Sequence, residues 1–169
     1  MLRYVRQYND YTCGPVAIIN AIKWSGHKAT IKQDLKHITN ECRCDPRNGT
    51  SHGNFDRILR KESKERFRVR RRLFPTLEEI AQHLVRPGHS VIINFLRVNK
   101  GGIEIDAHYA LLVGAMEAVQ EFVQINSFEG ETVARVNRYQ LAEDLRQRKS
   151  IRGKVYPRAW FLTLANYSF

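Results

Sequence analysis

Nowhere does the chain run apolar for the roughly 20 residues that a membrane-spanning helix needs, and its opening MLRYVRQYND has no continuous apolar core of a secretory signal. A helical membrane protein is thereby excluded, and a cytoplasmic location is expected. Cysteine is scarce. Three thiols, an odd number, cannot close a disulfide scaffold and fit a reducing compartment. No internal repeat and no low-complexity tract interrupts the sequence, so solenoids and disordered linkers are out. Acid is short relative to base, with 17 Asp and Glu against 28 Lys and Arg, a formal charge of +11 and a pI of about 9.9. Such an excess favours anionic partners, an acidic protein or nucleic acid, without naming one. At 169 residues the chain has the size of one domain, 1–169, with a real core.

The richest stretch is QYNDYTCGPVAIINAIKW, from Gln7 to Trp24. Val16, Ile19, Ala21 and Ile22 recur at helical spacing behind Cys13, which puts the thiol in the first turn of a buried helix ending near Ser25-Gly26. Amide N–H groups and the positive end of the helix dipole favour a thiolate there. Such settings bring cysteines from a pKa of about 8.5 to between about 3.5 and 7.5. Before it lies a short strand or extended arm, Leu2 to Arg6. Further on, the periodicity predicts helices over Thr30 to Thr39, from about Asn54 into the 60s, from Thr76 to before Pro87-Gly88, and over Arg138 to Gln147. Strands are predicted from Ser90, from His108, from Val119, and over Arg158 to Leu164. Helices first and strands second read as α+β, a helical half packed on an antiparallel β-sheet.

Nucleophilic catalysis by cysteine needs an imidazole base, a group to orient it, and donors for the tetrahedral oxyanion. His108, opening the strand HYALLVGA, is the candidate base. Asn126, eighteen residues on, is the candidate orienter, because in a hairpin the end of one strand lies beside the start of the previous one. Asp106 is its alternative. The side-chain amide of Gln7 and the Cys13 N–H are the candidate oxyanion donors.

Gln7 with Cys13-Gly14-Pro15, the strand HYALLVGA and a polar residue eighteen positions later resemble papain-like cysteine peptidases, in particular the bacteriocin-processing peptidases that cut after a double-glycine leader. The likeness extends to NGTSHGNFDRILR and TLEEIAQHLVRPGHSVIINF and covers roughly residues 3 to 130. It implies a papain-like fold, peptide or isopeptide hydrolysis without a cofactor, a glycine-containing target, and the roles of oxyanion donor for Gln7, nucleophile for Cys13, base for His108 and orienter for residue 126. The family carries Asp-Pro where this chain has Asn126-Ser127. An Asn holds the ring but stabilises imidazolium less than a full negative charge.

Two further features have blander readings beside the functional ones. Cys42 and Cys44, flanked by His37 and His52, invite zinc, but C-x-C is not the usual spacing of structural sites, and exposed loop residues or a redox-sensitive thiol pair fit better. The basic segment from Arg57 to Arg72 reads as a solvated helix face. Its functional reading is a docking surface for an acidic protein or nucleic acid, the role left to a peptidase-like module that has lost turnover.

Overall fold

The computed structural model describes residues 4–7, 9, 11–27, 31–47, 49–98, 104–116, 120–125, 132–146, 148–150, 153–155 and 157–165. Helix α1 spans Cys13–Trp24, α2 Ile31–Glu41, α3 His52–Ser63, α4 Leu77–Leu84 and α5 Arg138–Asp144. The strands are β1 Phe67–Leu73, β2 His89–Val98, β3 Glu104–Met116, β4 Glu121–Ile125, β5 Val133–Asn137, β6 Arg148–Ser150, β7 Gly153–Val155 and β8 Arg158–Leu164. Six of them form one antiparallel sheet in the order β1-β8-β2-β3-β4-β5, and β6 and β7 pair separately. The α+β class and the antiparallel sheet are as the sequence predicts.

Near-continuous apolar runs on β2, β3 and β8 are explained by burial on both faces. On one face, Ile92, Tyr109, Leu111, Trp160 and Leu162 pack with α1 and with Phe55, Ile58 and Leu59 of α3. On the other, Val91, Ile93, Ala110, Leu112 and Phe161 pack with Ile80 and Leu84 of α4 and Leu141 of α5. Phe55 docks α3 by stacking on Tyr109 at 4.3 Å and meeting Trp160 at 4.6 Å between ring centroids. Each such aromatic stabilises by roughly 1.5–3 kcal/mol on burial. The Trp160 indole N–H also donates to Asp56 Oδ1 at 2.9 Å, which ties α3 to β8 with a directed bond.

Local chemistry sets several boundaries. Ser51 caps α3 by accepting from the Asn54 N–H, and Thr76 and Glu79 form a reciprocal capping box on α4. Two predictions need correction. The basic run is not one helix face: α3 stops at Ser63, and Phe67–Leu73 is a strand at the sheet edge whose partner is β8. Arg, Lys and Glu are good helix formers, so propensity hid a strand that only tertiary pairing stabilises. Strands β5, β6 and β7 were likewise unforeseen, and α5 is shorter than expected.

The segment before α1 is neither strand nor helix over residues 4–7. Asn20, fully buried in the middle of α1, holds it instead: its Oδ1 accepts from the Val5 N–H at 2.7 Å and its Nδ2 donates to the Val5 carbonyl at 3.0 Å. One carboxamide thus satisfies both backbone groups of Val5 and fixes the chain two residues before Gln7. Asn20→Leu is expected to lower stability by about 1–3 kcal/mol, because both groups are left unpaired. Urea unfolding checks this, and an unchanged midpoint would mean that Asn20 is not the anchor.

Candidate active site

Cys13 is the first residue of α1 and only 4% exposed. The preceding loop turns on Asn9, whose Oδ1 accepts from the Tyr11 N–H at 3.3 Å, the Thr12 N–H at 3.0 Å and the Thr12 hydroxyl at 2.7 Å. Because its hydroxyl points back to Asn9, the N-cap Thr12 gives the helix no side-chain cap. The first turn contains no acidic residue, and Pro15 contributes no N–H. The first turn of a helix, with the positive end of its dipole, is a setting that stabilises negative charge.

Gly14 is there because nothing larger fits. A Cβ at this position would lie 2.7 Å from Thr50 Oγ1, 2.8 Å from its Cβ and 2.9 Å from its Cγ2. The loop before α3 is thus pressed onto the turn that opens α1. Thr50 is held in turn by the Tyr109 hydroxyl, which donates to its carbonyl at 3.5 Å, and by Cys44, whose Sγ is 2.8 Å from Thr50 Oγ1. Burial, with the nearby Cys13 sulfur adding to it, pushes the Tyr109 phenol well above its ordinary range, so it stays protonated.

The Cys13 Sγ lies 4.0 Å from the carbonyl oxygen of Ala107. That oxygen belongs to the residue before His108, so α1 sets the thiol beside the backbone of β3 at this point. His108 does not open its strand, however: β3 begins at Glu104, and His108 pairs with Phe95 of β2. Residues 104–107 belong to the strand as well, ahead of the start expected at His108. Among the described pairs, β4 meets β3 only from Leu111 onward, so His108 is flanked on the β2 side. Strand alternation turns Tyr109 and Leu111 toward α1 and α3 and His108 toward Phe95, whose ring it meets edge-on at 5.6 Å. The His108 side chain is 2% exposed.

Asn94, fully buried on β2, was not foreseen. Its Nδ2 donates to the His108 carbonyl at 3.1 Å and its Oδ1 is 2.8 Å from Nε2 of His52, the first residue of α3. Burial, aided by the Arg158 charge, depresses the His52 pKa and outweighs the bond to Asn94, so this ring is neutral at pH 7 and donates to Asn94. The signal was present in the sequence: a lone Asn inside VIINFL, like Asn20 inside VAIINAI, must find partners or cost the full desolvation of an amide.

The Gln7 carboxamide donates from Nε2 to the Asn9 carbonyl, and its Oε1 is buried without a hydrogen-bond partner. Asn126 lies outside the described residues. Of Asp106 the structure gives the backbone, paired with Arg97. Cys42 is fully buried rather than exposed on a loop. Most cations of the basic segment are engaged within the chain: Arg60 with Asp56, Lys61 with Glu41, Arg66 with Glu62, Arg72 with Glu79, Arg57 with the Glu41 carbonyl, and Arg70 over the Phe161 ring. No helix of the described residues is long and apolar enough to cross a membrane.

No protein-family model matches the chain, and a search of curated proteins finds no significant match.

Gly14→Ala is expected to destabilise the fold by about 1–3 kcal/mol through overpacking, read by thermal or urea unfolding. Thr50→Ala does not relieve it, because the Thr50 Cβ is itself at 2.8 Å. A Gly14→Ala protein as stable as wild type would show that the two loops are not in contact.

Proposed function

We propose that this chain is a papain-like cysteine peptidase or isopeptidase that hydrolyses a peptide after glycine. The observation that supports it most is the position of Cys13, the first residue of α1, with its sulfur 4.0 Å from the Ala107 carbonyl on β3. In this reading the Cys13 thiolate attacks the scissile carbonyl carbon, and the oxyanion takes hydrogen bonds from the Cys13 N–H and from the Gln7 N–H that Asn9 does not use. His108 hands the proton to the leaving amine, giving an acyl-enzyme. A water deprotonated by the same ring then attacks the thioester, and the acid leaves as the sulfur is reprotonated. Asn126 orients the ring. Every step is proton transfer or acyl transfer, and none calls for a cofactor.

A glycine-ended target agrees with the resemblance and with a nucleophile turn that is itself crowded by Thr50. It covers a double-glycine leader and the Gly-Gly tail of a ubiquitin-like modifier.

Fluorogenic peptides ending in Gly-Gly or Ala-Ala test the reading. Turnover is expected for the Gly-Gly series and is lost in Cys13→Ala; His108→Ala lowers kcat by about 100-fold or more. Asn126→Asp retains activity and Asn126→Ala loses part of it. Product mass separates hydrolysis from transfer to an amine. Turnover that persists undiminished in Cys13→Ala would refute the assignment.

A further inference from the structure

Cys42 and Cys44 are the chain's other two thiols, and the turn that ends α2 folds them onto one another. Arg43 takes the left-handed conformation, φ 51°. Its N–H bonds the Asn40 carbonyl at 2.9 Å, and the Cys44 N–H bonds the Thr39 carbonyl at 3.2 Å. These paired bonds define a Schellman ending, at a position that usually takes Gly. The reversal places Cys42, as the cap, and Cys44, just past it, on either side of the left-handed Arg43. Cys42 is fully buried, Cys44 is half-buried, and the Thr50 hydroxyl stands 2.8 Å from the Cys44 sulfur.

The two sulfurs have different characters. The bond to Cys44, and then burial, push the Cys42 thiol far up, so Cys42 keeps its proton. Hydrogen bonds from Cys42 first, and then from Thr50, bring Cys44 down against the effect of burial. The more accessible sulfur is the one that ionises. Among the described residues no group of three His, Cys, Asp or Glu side chains gathers to hold a metal, so the pair is not part of such a cluster.

We propose that Cys42 and Cys44 are a redox-active dithiol that closes to an intrachain disulfide by exchange with a small-molecule disulfide such as oxidised glutathione. The Cys44 thiolate attacks one glutathione sulfur, forming the mixed disulfide and expelling a glutathione thiolate. With Cys44 tied up in the mixed disulfide, the chief influence holding the proton on Cys42 is gone, and the glutathione thiolate takes it. Cys42 then attacks the Cys44 sulfur and expels the second glutathione thiolate, which is protonated from solvent. The two protein thiols give up two electrons, and one oxidised glutathione becomes two reduced ones. Two thiols joined by a single tight reversal have one residue between them to rearrange as the sulfurs close to about 2.05 Å. Closure also removes the thiol partner of Thr50, the residue pressed on Gly14 beside Cys13, so the pair sits where its state is felt at the nucleophile turn.

The inference does not depend on turnover at Cys13. The test equilibrates the full chain in glutathione buffers of rising oxidised fraction, quenches with acid, alkylates, and maps the peptides. Cys42 and Cys44 are expected to lose alkylation together as a linked peptide. The Cys13→Ala chain, with only these two thiols, does the same at the same ratio. Cys42→Ser stops at a glutathione adduct on Cys44, and Cys44→Ser leaves Cys42 unmodified. The proposal is overturned if wild type shows no Cys42–Cys44 disulfide in the most oxidising buffer, if Cys44 pairs with Cys13 instead, or if Cys42 is the sulfur that takes glutathione when Cys44 is absent.

Discussion

The contact between Gly14 and Thr50 is the constraint on which the rest depends. An approach so close that a single Cβ would overlap three side-chain atoms leaves only glycine at the second position of α1. It fixes the loop before α3 against the helix mouth, and with it the position of Cys44 on one side and of His52 on the other. Removing a methyl-sized freedom at one residue thus registers three elements, and the thiol of Cys13 takes its place against β3 within that frame.

Carboxamides do the remaining positioning, two of them, Asn20 and Asn94, fully buried. Asn20 ties the Gln7 segment to α1, Asn94 ties His52 to the backbone of His108, and Asn9 shapes the turn that leads into α1. An amide carries no charge to desolvate yet offers both a donor and an acceptor, so one residue can close two backbone groups inside an apolar layer. Buried charge would have cost far more. The aromatic stack of Phe55 on Tyr109 and Trp160 supplies the apolar counterpart by holding α3, and therefore His52 and Thr50, on the sheet.

Much of this was legible in the sequence. The starts of α1 and α4, the antiparallel sheet and the bounds of β8 follow from helix-start signals, periodicity and apolar runs, signals that are local. What escaped is what depends on distant partners. Strand β1 is four parts arginine to three parts apolar, and its sheet character comes from β8 far along the chain. His108 looked like a strand opening because GGIEID is polar, whereas pairing with β2 carries β3 back to Glu104. Asn20 and Asn94 were visible as polar interruptions, yet their partners, Val5, His52 and the His108 carbonyl, are tertiary facts. Cys42 and Cys44 read as loop residues because the left-handed Arg43 that folds them inward has no signature of its own.

The central claim is that Cys13 is an activated thiol whose activation comes from the helix start and from His108. Alkylation of the reduced protein by iodoacetamide near neutral pH, followed by peptide mapping, tests it most directly. Cys13 should be labelled ahead of Cys42 and Cys44, and more slowly in His108→Ala than in wild type. Labelling of Cys13 no faster than the other two, or at the same rate without His108, would contradict the account.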